Sequence, residues 1–162
     1  MLAALLVSHI LFLPDQMPID KAYRMMAAAI IRALKSLGYS RRLQYEGNDL
    51  YTVLGDQRRK FCGMGATNHA GGLEVSASTQ FELDHGVAQR VFREWSGEGC
   101  GLLEADPTMD RGRFSGSVAH FLARHLGLDL MGDTWTTEEA DALRSWKSLM
   151  TSPEWVWRGK RG

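Results

Sequence analysis

Within the stretch GNDLYTVLGDQRRKFCGMGAT, positions 47–67, five residues are of types and spacing that could do chemistry: Asn48, Asp49, Lys60, Gly63 and Gly65. Asn48 and Asp49 stand beside Gly47 at the mouth of one extended piece, and Lys60 opens the piece that returns after a second turn. A two-strand hairpin brings Lys60 back toward that mouth. A carboxylate and an ammonium near a glycine-rich backbone suit a phosphate with its Mg²⁺. Lysine meets the anion as a point charge, and glycine lets it approach the main chain. The same residues also read as a hairpin with a polar tip. From residue types alone both readings stay open.

The other chemistry-bearing residues do not gather into a motif. There is no G-x-x-x-x-G-K-[ST] phosphate loop, no G-x-G-x-x-G after a strand and no G-x-S-x-G elbow. His120 and His125 lie five apart, whereas a helical zinc pair needs a separation of four. His9, His69 and His85 are scattered. Two cysteines, Cys62 and Cys100, are too few for a disulfide framework.

The chain has 162 residues, 44% hydrophobic and 23% charged, which fits one domain or one core with a small appendage. Nineteen basic residues balance nineteen acidic ones, so no global field is available to hold nucleic acid. The opening run MLAALLVSHILFL has no basic flank or cleavage site. It is also shorter than the ~20 residues of a membrane span, so it reads as a buried strand.

The elements that must carry the hairpin follow from composition and spacing. Asp20 caps a helix to about Leu37, with Ala27, Ala28, Ile31, Leu34 and Leu37 as its apolar face, Met25 and Met26 as core filler, and Gly38 as its stop. Extended pieces follow at about 41–45, 50–55, 60–66 and 72–79. The last alternates Leu73, Val75 and Ala77 with Glu74, Ser76 and Ser78. A helix capped by Asp84 turns Val87, Val91, Phe92 and Trp95 inward. Another spans about 114–126, and a Thr136–Glu139 capping box opens a fourth with Ala140, Leu143, Trp146 and Leu149 or Met150 inward. Clustered strands predict an α+β fold with a mixed, mostly antiparallel sheet flanked by helices. The expected division is a core over 1–96, a glycine-rich loop over 97–113 and a small helical part over 114–162.

The 47–67 stretch resembles the lipoate–protein ligases. That family carries N-D-L, a strand, and then R-K-[IVF]-[SC]-G-x-[AG]. Here these are Asn48-Asp49-Leu50 and Arg59-Lys60-Phe61-Cys62-Gly63-Met64-Gly65. LLVSHILFLP, ALKSLG, Gly72-Leu73-Glu74-Val75, Leu83-Asp84-His85 and the tail TSPEWVWRG are similar to further family segments, so the likeness covers most of the chain. It implies a catalytic Lys60, nucleotide binding by Asn48, Asp49, Gly63 and Gly65, and Asp49 as the metal ligand. ATP, Mg²⁺ and lipoate are the implied cofactors of an active member. Octanoyltransferases are the rival branch, with Cys100 in Gly99-Cys100-Gly101 as an echo of their nucleophile.

The departures shape the expectations. The family's R-R-x-[ST]-G-G-G segment is absent, and its H-G is here Gly71-Gly72, with His69 two residues early. The first expectation is a non-catalytic subunit of a larger assembly without cofactor, and the isolated chain should make no lipoyl-AMP. The alternative is one chain of a split ligase. A partner chain is expected on the sheet edge at 1–13, with Leu5, Val7 and Ile10 or their alternates buried. An acidic partner or RNA is expected at Arg58, Arg59, Lys60 and the basic tail. The resemblance implies a mitochondrial matrix or bacterial cytoplasmic setting.

Overall fold

The computed structural model describes residues 4–14, 17–69, 71–91, 97–132 and 136–150. Phe92, Trp95 and the tail lie outside the described residues, as do the side chains of Leu5, His69, Val91, Leu149 and Met150. Two compact units divide between Leu130 and Met131.

The first unit is α+β. Strand β1 (Ala4–Leu13) precedes helix α1 (Ile19–Ser36). A meander of β2 (Leu43–Glu46), β3 (Asp49–Leu54), β4 (Gln57–His69) and β5 (Gly72–Leu83) follows. The short helices α2 (His85–Val91) and α3 (Leu102–Ala105) lead to α4 (Arg111–Leu126). The sheet is antiparallel throughout, in the order β1-β5-β4-β3-β2.

The period-two pattern of β5 decides its orientation. Leu73, Val75, Ala77, Thr79 and Phe81 point to one buried face, while on the other Glu74 and Ser76 are half covered and Ser78 is exposed. Helix α1 covers the buried face with a stripe of Ala22, Met26, Ile30, Ala33 and Leu34, rotated by about a residue from the face its sequence suggests. Met25 and Met26 are core, as expected. Helix α4 packs on α1 and adds Phe114 and Val118 to the same core.

Three expectations need correction. Helix α1 begins one residue before Asp20, with Pro18 in the extended N-cap position and no side-chain cap. Asp20 instead lies in the first turn, where its charge favours the helix N-terminus without capping it. Strand β1 is not buried on both faces. Val7, His9 and Leu13 turn inward, while Leu6, Ile10 and Phe12 are 50%, 59% and 73% exposed. In the second unit the capping box forms as read: Thr136 N–H donates to Glu139 Oε2 at 2.8 Å, and Glu139 N–H to Thr136 Oγ1 at 3.2 Å. Yet Leu143 and Trp146 on the helix it opens, α5 (Thr137–Met150), are exposed.

At the end of α1, Gly38 has φ of 89°, and Tyr39 N–H returns to Leu34 O at 3.0 Å. A left-handed residue there closes the last turn. The turn delivers Tyr39 into the core, where its hydroxyl meets Thr52 Oγ1 at 2.7 Å. That bond ties the helix end to β3, the strand that begins at Asp49.

Candidate functional site

The turn before β3 needs Gly47 at φ of 61°, so the chain reverses within two residues. Asn48 follows and clasps β4. Its Nδ2 donates to Met64 O at 2.7 Å, and Met64 N–H donates to Asn48 O at 2.8 Å. The side-chain amide of Asn48 thus fixes the register in which Asp49 faces Gly63.

The register then slips. Leu50 pairs with Cys62 but Tyr51 pairs with Lys60, leaving Phe61 as the extra residue of a β-bulge. A bulge re-aims the side chains beside it. Phe61 and Cys62 are both buried on the helix side, while Lys60 turns to the opposite, outer face. There its Nζ lies 2.7 Å from Asp49 Oδ1, with the two side chains 39% and 20% exposed. Tyr51 Oη donates to the other Asp49 oxygen at 3.4 Å.

The lysine backbone is held as well. Lys60 N–H donates to Glu98 O at 2.8 Å, and Cys100 N–H donates to Lys60 O at 2.9 Å, in a parallel bridge with the loop after α2. No residue type signals this clamp, because the pairing joins residues about forty positions apart.

Beside the ion pair the floor is bare. A Cβ on Gly63 would stand 3.5 Å from Asp49 Oδ1 and from Lys60 Cε and Nζ, so the glycine leaves open the space next to the charged pair. Gly65 continues this floor, 3.6 Å from Ser76 Oγ by the same measure. By register, Ser76 and Ser78 of β5 and Ser8, Ile10 and Phe12 of β1 share this face. The outer face therefore runs from a charged end at Lys60, over small residues, to an exposed apolar row at Leu6, Ile10 and Phe12.

The structure thus brings Asn48, Asp49, Lys60 and Gly63 together and sets Gly65 on the same floor. Lys60 and a bare backbone fit an anionic carboxylate or phosphate. A metal ion is not provided for in the same way. Asp49 offers one carboxylate, already engaged by Lys60, and among the described residues no three His, Cys, Asp or Glu side chains gather to hold one.

The neighbouring cations are engaged too. Arg58 pairs with Glu46 and lies over the Tyr51 ring at 4.0 Å, and Arg59 donates to Gly97 O. The two cysteines are unsuited to nucleophilic work. Burial pushes the Cys62 thiol up to about 11, and burial together with Glu104 pushes Cys100 up to about 12. A nucleophilic cysteine needs the opposite shift.

No family model matches the chain, and no curated protein matches it by sequence. Solved structures do match, across nearly all of it. Lipoate-protein ligase A bound with ATP aligns over 93% of the chain at TM-score 0.68 and 17% identity. The fold is that of the lipoate–protein ligases. A bi-partite lipoate protein ligase from Thermoplasma acidophilum aligns over 95% at TM-score 0.65 and 19% identity. Protein Ta0514 of the same organism, with lipoic acid bound, aligns over 94% at TM-score 0.68 and 17% identity. The chain spans 63–64% of the length of these lipoate-ligase structures. Among its described residues no helix is long and apolar enough to cross a membrane.

Proposed function

We propose that this chain is a lipoate–protein ligase-like binding subunit of a larger assembly, which holds an acyl-adenylate on the outer face of its sheet. Lys60 meets the acyl carboxylate and the phosphate, Asp49 holds the ammonium in place, and Asn48 fixes both by its clasp on β4. Gly63 and Gly65 admit the ligand to the backbone, and the apolar row on β1 takes the acyl chain. The observation that carries this reading is the Lys60–Asp49 pair at 2.7 Å beside a glycine whose Cβ would fill the adjoining space.

The donor set supports binding more than activation. An ammonium beside a developing oxyanion stabilises it, but here the neighbouring carboxylate offsets that charge. ATP would bring Mg²⁺ with its phosphates, and among the described residues of the site Asp49 is the carboxylate placed to touch it. In this reading the chain supplies no acyl activation by itself. It would act in the mitochondrial matrix or the bacterial cytoplasm.

The second reading makes it one chain of a split ligase that activates lipoate with ATP and passes it to a carrier lysine. The likeness to a bi-partite ligase favours that reading. One experiment addresses both. The purified chain is titrated with a non-hydrolysable lipoyl-adenylate analogue by calorimetry, and separately incubated with ATP, Mg²⁺ and lipoate. Binding that is lost in Lys60→Ala, with no lipoyl-AMP formed, is the expected outcome. Lipoyl-AMP formation abolished in Lys60→Ala moves the assignment to the ligase. Absence of analogue binding overturns the ligand-holding role.

A further inference from the structure

The chain is neutral overall, yet basic residues gather along parts of α1, β2 and α4. Positions 30–45, from the second half of α1 into β2, hold Arg32, Lys35, Arg41 and Arg42 and no acidic residue. Helix α4 holds Arg111, Arg113 and Arg124 and likewise no acidic residue. The two helices pack against each other on the sheet face opposite Lys60.

Along α4, Arg113, Ser117, His120 and Arg124 recur at steps of four, three and four, which places them in one stripe. The stripe runs roughly 16 Å at the helical rise. Arg113, His120 and Arg124 are exposed and Ser117 is half-buried. None of the ion pairs among the described residues involves Arg32, Arg113 or Arg124.

Two open hollows flank the stripe and meet at His120. One is lined by Arg113, Ser117, His120 and Phe121 with Ser36 and Leu37 from the end of α1. The other is lined by His120 and Arg124 with Leu128, Asp129 and Leu130. Leu128 and Leu130 are 58% and 59% exposed. Each hollow therefore offers apolar surface beside a guanidinium.

We propose that this α1–α4 face docks an acidic, amphipathic segment of a partner protein. The partner's carboxylates meet Arg113 and Arg124, and its apolar side chains enter beside Leu37 and Phe121 and beside Leu128 and Leu130. Charge complementarity selects an acidic partner. The distance between the two arginines requires an extended partner, since one small anion cannot reach both. The leucines select protein over nucleic acid, whose bases call for stacking aromatics. Asp129 disfavours a carboxylate in the second hollow, so the partner's acidic groups gather toward Arg113 and the outer side of Arg124. The surface is independent of the Lys60 site.

The test uses the full chain and a fluorescent peptide built from Glu-Glu-Leu-Leu repeats, followed by anisotropy at low ionic strength. The double variant Arg113→Glu/Arg124→Glu should bind roughly tenfold more weakly, as expected for two reversed exposed charges. Lys60→Ala should bind as the wild type does. Glutamate at 113 lies in the first turn of α4, where a carboxylate is favoured. A thermal melt of the variant shows that weaker binding is not unfolding, and Arg113→Gln/Arg124→Gln replaces it if the melt drops. Undetectable peptide binding overturns the proposal, as does equal binding by the double variant or an equal loss in Lys60→Ala. Tighter binding of a poly-thymidine oligonucleotide, dependent on the same arginines, also overturns it and points to nucleic acid.

Discussion

Substituting Gly63 by alanine should separate the stability of the sheet from its use as a ligand floor. Gly63 is not among the glycines at positive φ, so alanine adopts its backbone without strain. The new methyl would sit 3.5 Å from Asp49 Oδ1, Lys60 Cε and Lys60 Nζ, an ordinary contact. Glycine carries excess freedom in the unfolded chain, so the variant should gain about 0.4–1 kcal/mol of stability. For a chain of this size that raises Tm by about 1–4 °C. The same methyl takes the space beside the ammonium. A ligand oxygen resting there must move outward by roughly 1 Å, which weakens a charge-assisted hydrogen bond of about 1.5–3 kcal/mol. The affinity for a lipoyl-adenylate analogue should then fall about 10- to 100-fold. Melts and calorimetry on one preparation read both numbers. A stabilised variant with unchanged affinity would show that the bare floor is not a ligand surface. A destabilised variant would show that the glycine serves the backbone.

Three further outcomes follow from the packing. Gly101→Ala should lose about 1–3 kcal/mol in urea unfolding, because its Cβ would lie 2.7 Å from Phe81 O and 3.0 Å from Glu82 Cα, both backbone atoms; unchanged stability refutes it. With thiols at about 11 and 12, less than one part in about a thousand is thiolate at pH ~8. Iodoacetamide should therefore label neither cysteine until denaturant is added, and rapid native labelling of Cys100 would revive the acyltransferase branch. His9 is buried between Phe114 and Ser115, and burial lowers its pKa below the ordinary histidine value. The unfolded chain then takes the proton first, so stability is complete above pH ~6.5 and declines as pH falls below it. Across that range wild type should lose Tm more steeply than His9→Gln; parallel curves would assign the acid sensitivity elsewhere.

The hairpin that carries Asn48, Asp49 and Lys60 was legible because its information is local: turn residues at fixed offsets between two extended runs. The return of Lys60 toward the end of the hairpin that holds Asp49 follows from the length of that hairpin. The bulge at Phe61 was not legible, because it depends on how β3 and β4 choose their register, and it decides that Lys60 faces outward while Phe61 and Cys62 are both buried. Pro18 displaced Asp20 as the N-cap because an acidic residue suits the first helical turn as well as the cap. Leu143 and Trp146 have helical spacing, but spacing marks a stripe without saying what covers it. The grip of Glu98 and Cys100 on the Lys60 backbone joins residues far apart in the chain, and no residue type announces it.

The order of strands carries a consequence for how the chain reaches this state. β2 to β5 form a meander whose neighbours are joined by turns, so they can pair soon after they exist. Among the described residues β1 pairs only with β5, and about sixty residues separate Leu13 from its partner Leu73. Closing so long a loop is slow compared with forming the hairpins. During synthesis β1 emerges before every strand of the meander and must wait for the last. Throughout that interval an uncharged apolar strand lacks its β5 partner, which is the condition under which chains pair with the wrong partner. Yield from cells should therefore depend on the rate of translation through residues 14–83 and on chaperone supply, even where the folded protein is stable.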